Sequence, residues 1–82
     1  MNRDSIYVEI NRIFKDIFDD ESIEVSDDTN ADDIEDWDSL EQINILVAIE
    51  KKFNIKFTIR DVESLENVGQ TVDLIERKIV EQ

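Results

Sequence analysis

Ile6, Ile10, Ile13 and Ile17 recur at i, i+4, i+7 and i+11, with Phe14 and Phe18 on the same side and Glu9, Arg12 and Asp16 directed away. An apolar stripe at that spacing is the mark of an amphipathic helix, and it predicts one over roughly residues 3–18. Residues 40–53 predict a second helix with two apolar lines, Leu46, Ile49 and Phe53 on one and Leu40, Ile43 and Val47 on the other. Val68, Val72, Ile75 and Ile79 repeat the first spacing, with Asn67 and Gly69 as punctuation at the start, and predict the last helix. Val62 and Leu65, three apart within residues 59–65, suffice for a short helix of one or two turns.

Residues 54–59 alternate polar and apolar, which in isolation favours a strand. The pattern offers no second strand to pair with, so an extended loop is expected. Residues 19–37 are long for a connection in so small a chain. Ile23, Val25, Ile34 and Trp37 are spaced to reach the core and pin that loop, and residues 31–36 suit an acidic helical turn. No linker, internal repeat or low-complexity tract divides the chain. The expected fold is all-α, one domain over residues 1–82. It is a four-helix bundle of three longer helices plus one short helix, with a long loop between helices one and two as a crossover.

Composition narrows the chemistry. Eighty-two residues leave room for one small core and no internal substrate chamber. Twenty-two acidic against nine basic side chains give a net charge of −13, which repels phosphate backbones and anionic membranes and attracts basic protein surfaces. Nucleic acid is thus not an expected partner, and membrane insertion is not expected because no run approaches about 18 consecutive apolar residues. Without Cys or His there is no disulfide, no thiolate chemistry and none of the usual zinc ligands. Asp28, Asn30 and Asp32 fall at positions 1, 3 and 5 of a calcium-loop spacing, but Asp33 stands where that loop needs Gly and Ser39 where it needs Glu. No metal site is expected. The N-terminal Met1-Asn2-Arg3-Asp4 leads into an amphipathic segment, so a soluble, cytoplasmic monomer is expected.

One hydroxyl stands out. Ser39 opens the second helix in a chain with no His or Cys to act as its general base, so it suits modification better than catalysis. Asp38 reads as the N-cap, with Glu41 placed to complete a capping box by reaching back to the Asp38 N–H. Ser39 then occupies the first helical position, where unpaired amides and the helix dipole favour a phosphate ester. The similar Asp4-Ser5-Ile6 at the start of helix one reads as an ordinary cap. Leu40, Ile43 and Val47 lie one, four and eight residues after Ser39 and form a ridge running from it. That ridge is either buried against a neighbouring helix or left to meet a partner or shelter a bound chain.

Asp38-Ser39-Leu40, followed by Ile43, Leu46, Val47, Ala48, Ile49, Glu50 and Phe53-Asn54-Ile55, resembles the phosphopantetheine-attachment region of acyl carrier proteins. The resemblance extends over nearly the whole chain, through the long acidic loop, Val62-Glu63-Ser64-Leu65 and Val68-Gly69 to Ile75. It implies that Ser39 receives 4′-phosphopantetheine from coenzyme A through a separate phosphopantetheinyl transferase, with Asp38 and Leu40 beside it. It further implies that the arm's thiol carries acyl groups as thioesters between enzymes of fatty acid, polyketide or related specialised lipid biosynthesis. The chain itself would not be an enzyme. Its partners would be the transferase and acyl-loading and acyl-processing enzymes with basic docking patches. By matching position, Asp36, Asp38, Glu41, Glu50 and Glu63 are the charged contacts the resemblance implies, beside the Leu40, Ile43 and Val47 ridge. Each of these charges could equally be an ordinary solvated one.

Three departures from the common fatty-acid pattern bear on partner choice: Asn44 replaces an acidic residue, Trp37 a small or aliphatic one, and Lys51 and Lys52 dilute the charge after Glu50. A tryptophan there is similar to carriers of specialised pathways. A stand-alone aminoacyl or peptidyl carrier, or an unmodified acidic interaction module, remains as the alternative.

Overall fold

The structure is a computed structural model that describes residues 2–81. Four α-helices carry it: α1 (Arg3–Phe18), α2 (Ser39–Phe53), α3 (Ile59–Glu63) and α4 (Val68–Glu81), with a 3-10 turn at Ala31–Asp33 in the long loop. The described residues contain no strand; of residues 54–59, expected as an extended loop, 55–58 form the connection, while Asn54 is the C-cap of α2 and Ile59 already opens α3. Each longer helix begins or ends on a residue suited to the place. Asn2 caps α1 by accepting from the Ser5 N–H at 2.8 Å, so the cap lies two residues before Asp4, which sits inside the first turn. Asp19 and Asn54 close α1 and α2 in the left-handed region, at φ 50° and 55°, which short polar side chains tolerate.

The core is formed where three stripes meet. Ile6, Ile10 and Phe14 from α1 pack on Ile45, Ile49 and Phe53 from α2 and on Val68, Val72 and Ile75 from α4, with Val25 and Ile55 inserted from the loops. Ile13 and Ile17 flank this centre and are only half-buried. Ile45 and Leu74 are buried although neither belongs to the lines read from the sequence. The stripes are therefore wider than a strict i, i+4, i+7 count, as a core reached from two sides requires.

Polar ties set the elements against each other. Glu9 does not face away: its carboxylate is 16% exposed and pairs with Arg12 at 2.9 Å and with Lys52 of α2 at 3.2 Å. The long loop is held by backbone as well as by Ile23, Val25, Ile34 and Trp37. Val25 N–H donates to Asn11 Oδ1 at 2.8 Å. Val68 N–H donates to Thr29 O at 2.8 Å, and Gly69 N–H to Asp27 O at 3.0 Å, so the free amides at the start of α4 are satisfied by loop carbonyls. A Cβ on Gly69 would meet the Asp27 carbonyl oxygen at 2.8 Å, which explains the chain's single glycine. These ties place the end of the loop, and hence the start of α2, at a defined point.

Candidate functional site

Three contacts fix the entry into α2. The Trp37 ring meets Phe14 edge to face at 5.1 Å, its Nε1 donates to Gln42 Oε1 at 2.7 Å, and its backbone N–H donates to Ile34 O at 3.1 Å. Asp38 follows in extended conformation and caps the helix, accepting from the Glu41 N–H at 2.9 Å through Oδ1. The reciprocal half of the expected capping box is not made. Glu41 turns along the helix and accepts from Asn44 Nδ2 at 2.7 Å. Two complete boxes occur elsewhere, Asn30 with Asp33 in the long loop and Thr58 with Asp61 at α3. The first engages Asn30 and Asp33, two positions of the calcium-like spacing, in capping.

Ser39 is the first residue of α2 and is exposed. Its hydroxyl stands at the end of the helix where leading amides lack intrahelical acceptors and the dipole is positive. Beside it lies an open groove of about 560 Å³, bounded by Trp37, Asp38, Ser39, Gln42 and Ile43 on one wall and by Val62, Leu65, Glu66 and Asn67 on the other. An accessible oxygen at a helix N-terminus with room alongside fits a phosphodiester and a slender arm. The chain has no His, the base most often paired with a nucleophilic serine.

Leu40, Ile43 and Val47 are 66%, 58% and 41% exposed, so of the two arrangements open to this ridge the folded chain adopts the solvent-facing one. Ile59 of α3, 80% exposed, joins them, although its place in the sequence gave no such indication. Ile43 and Val62 also line a second, smaller groove of about 280 Å³ between α2 and α3, with Leu46, Val47 and Phe57. Glu50 and Glu63 stand at this second groove, while Asp38 lies beside Ser39 at the first and, like Asp36, is exposed. Glu50 is half-buried and accepts from the Phe57 N–H at 2.8 Å, which ties the α2–α3 loop down.

The far wall is anchored through Asp61. Its carboxylate accepts from the Thr58 N–H at 2.9 Å and pairs with Lys78 of α4 at 2.9 Å, and these contacts, the backbone one first, hold its pKa at about 2. The sequence signal for this anchor is the Thr58-to-Asp61 spacing of a capping box. No pattern announces the Lys78 contact, because it depends on how α3 and α4 cross, nor the Trp37–Gln42 bond, which spans five residues at the entry to α2.

Comparison with known proteins agrees with this geometry. Residues 9–75 match the family model described as a phosphopantetheine attachment site. An acyl carrier protein of Guillardia theta is 29% identical over 96% of this chain and 98% of its own length. One from Petrotoga mobilis is 27% identical over 96% of this chain and 93% of its own. Among solved structures, the NMR structure of a holo acyl carrier protein from Geobacter metallireducens superposes with a TM-score of 0.84 at 37% identity, over 96% of this chain and 86% of that one. Like that neighbour, this chain is an all-helical bundle, and none of its helices among the described residues is long and apolar enough to cross a membrane. By its attachment region, its fold and its relatives, the chain belongs to the acyl carrier protein family, whose members carry a covalently attached 4′-phosphopantetheine.

Proposed function

We propose that Ser39 is the attachment residue, and that this chain is a non-catalytic carrier that presents acyl cargo in turn to cytoplasmic loading and processing enzymes. The observation that carries this reading is the exposed Ser39 hydroxyl at the N-terminus of α2, beside a groove. Once attached, the group supplies a thiol on a flexible arm, in a chain with no thiol of its own, and acyl groups ride on it as thioesters. Ser39 contributes an oxygen and gives up a proton. The base that takes the proton comes from the transferase, because this chain has none suited to it. Asp38 holds the first turn of α2 so that the hydroxyl keeps its position, and Trp37 anchors that turn to the core.

Docking falls to the same face. Leu40, Ile43 and Val47 supply apolar contact, while Asp36, Asp38, Glu41, Glu50 and Glu63 surround it with negative charge suited to basic patches. The test is intact mass. Incubation with coenzyme A, Mg²⁺ and a broad-specificity phosphopantetheinyl transferase should add one phosphopantetheine to the wild type and none to Ser39→Ala. An unchanged wild-type mass, or equal addition to the variant, overturns the assignment.

A further inference from the structure

Trp37 stands between two spaces of very different size. On one side is the groove of about 560 Å³ beside Ser39, and on the other a void of about 10 Å³ among Ile10, Phe14, Ile45 and Leu46. Trp37, Gln42 and Thr71 line both. A space of the smaller size holds at most about one water, so the interior behind the indole has no room for an alkyl chain. The indole is held on two sides: Nε1 by Gln42 Oε1 at 2.7 Å, and the ring by the edge-to-face contact with Phe14, which is itself only 2% exposed.

We infer that Trp37, latched by Gln42 and set edge to face against Phe14, is a closed partition between the Ser39 groove and the bundle interior, and that it makes the chain selective for short or polar acyl cargo. The inference rests on Ser39 as the attachment residue. For a chain to pass inward on this face, the indole must leave its place, giving up a hydrogen bond and a ring contact at once. Cargo kept outside meets a mixed wall, with Ile43, Val62 and Leu65 apolar and Glu66, Asn67 and Thr71 polar. That wall suits a few methylenes next to a polar arm. A longer chain following Ile43 and Val62 enters the second groove, which is also open to solvent, and so leaves apolar surface in water.

Two experiments test this, and the first does not depend on Ser39. Benzene added to unloaded Trp37→Ala should fill the space left by the indole and raise the melting temperature by about 4 °C or more, while the wild type is unchanged. An equal rise in the wild type, or none in the variant, overturns the partition. In the second, acyl-phosphopantetheine groups of two, four, eight and twelve carbons are placed on Ser39 from the acyl-coenzyme A, with loading verified by intact mass. The wild type should melt at the same temperature throughout, with unchanged emission from Trp37, the only tryptophan in the chain. The Trp37→Ala variant should melt higher as the chain lengthens. A wild-type melting temperature that climbs with chain length, together with a shift in Trp37 emission, shows the cargo passing the indole and overturns the proposal. A mass that does not rise speaks against Ser39 instead, and the benzene experiment then decides the partition alone. Should Trp37→Ala fail to fold, Gln42→Ala keeps the indole and removes its latch. Its Trp37 emission should then respond to chain length where the wild type's does not, and an identical response in both overturns the proposal.

Discussion

Arg3 Nη2 donates to Asp27 Oδ1 at 2.8 Å, joining the first turn of α1 to the long loop. The same guanidinium reaches Asp73 at 2.8 Å and Glu76 at 2.5 Å on α4 through Nη1, and lies over the Tyr7 ring, whose hydroxyl also donates to Asp27. One cation thereby holds three carboxylates from two elements that would otherwise repel each other in a chain of net charge −13. The contact raises the Arg3 pKa further, the Asp27 bond being the largest cause, and burial together with Asp27 raises that of Tyr7.

Arg3→Ala should therefore lower stability by about 1 kcal/mol, a modest value because the side chain is about one-third exposed and water screens its pairs. In thermal melts of a domain this size the loss corresponds to about 4–8 °C. It should shrink in high salt, because screening weakens all three pairs. A variant that melts with the wild type at low salt would show that the network does not hold the loop.

Acid should unfold the chain by a defined route. Asp61 is held at about 2 by the Thr58 N–H and then Lys78. Glu9 is lowered by Lys52, Asp27 by Tyr7 and then Arg3, and Asp20 by Ser22. A carboxylate whose folded pKa is depressed stabilises the fold above its ordinary value near 4, and that stability is lost as pH falls from about 4 towards about 2. Relief of net negative charge acts in the opposite sense, so the decisive comparison is with a variant. Asp61→Asn should lose less stability than the wild type between about pH 5 and about pH 2 in urea titrations. Equal losses would remove Asp61 from the account.

Core and ridge should separate cleanly in the same assay. Ile10→Ala and Ile75→Ala, both at fully buried positions, should cost about 2–5 kcal/mol each. Leu40→Ala and Val47→Ala should stay within about 0.5 kcal/mol, because these side chains already face water. A large loss at Leu40 would mean that the ridge is part of the core after all.

Docking should divide along the chemistry of its residues. Glu41→Lys and Glu63→Lys should slow association with the transferase several-fold, and more so at low salt, since peripheral charges act mainly on encounter. Leu40→Ala should act on dissociation instead. Stopped-flow binding with unloaded protein checks both. Association rates that ignore charge reversal would place the docking face elsewhere.

Much of the architecture was legible from periodicity, because a helix that buries one stripe must repeat apolar residues near every 3.6 positions. Ile6, Ile10, Val72 and Ile75 announced their places, as did the break after Phe53 and the opening of α2 at Asp38 and Ser39. Glu9 misled, because a charge on an apparent outer face gave no sign that Lys52 of α2 would cover it.

What the sequence by itself determined is local: three stripes, the cap at Asp38, the charge, and one hydroxyl at a helix N-terminus. Only the tertiary structure decided that the Leu40, Ile43 and Val47 ridge meets solvent, that Val62 and Leu65 line a groove with Ser39, and that Trp37 lines both this groove and the small void among Ile10, Phe14, Ile45 and Leu46. Periodicity specifies which residues share a face. Which neighbour that face meets depends on helix crossing and on where a nineteen-residue loop from Asp19 to Trp37 comes to rest, and contacts such as Trp37 to Phe14 bring together residues far apart in the chain.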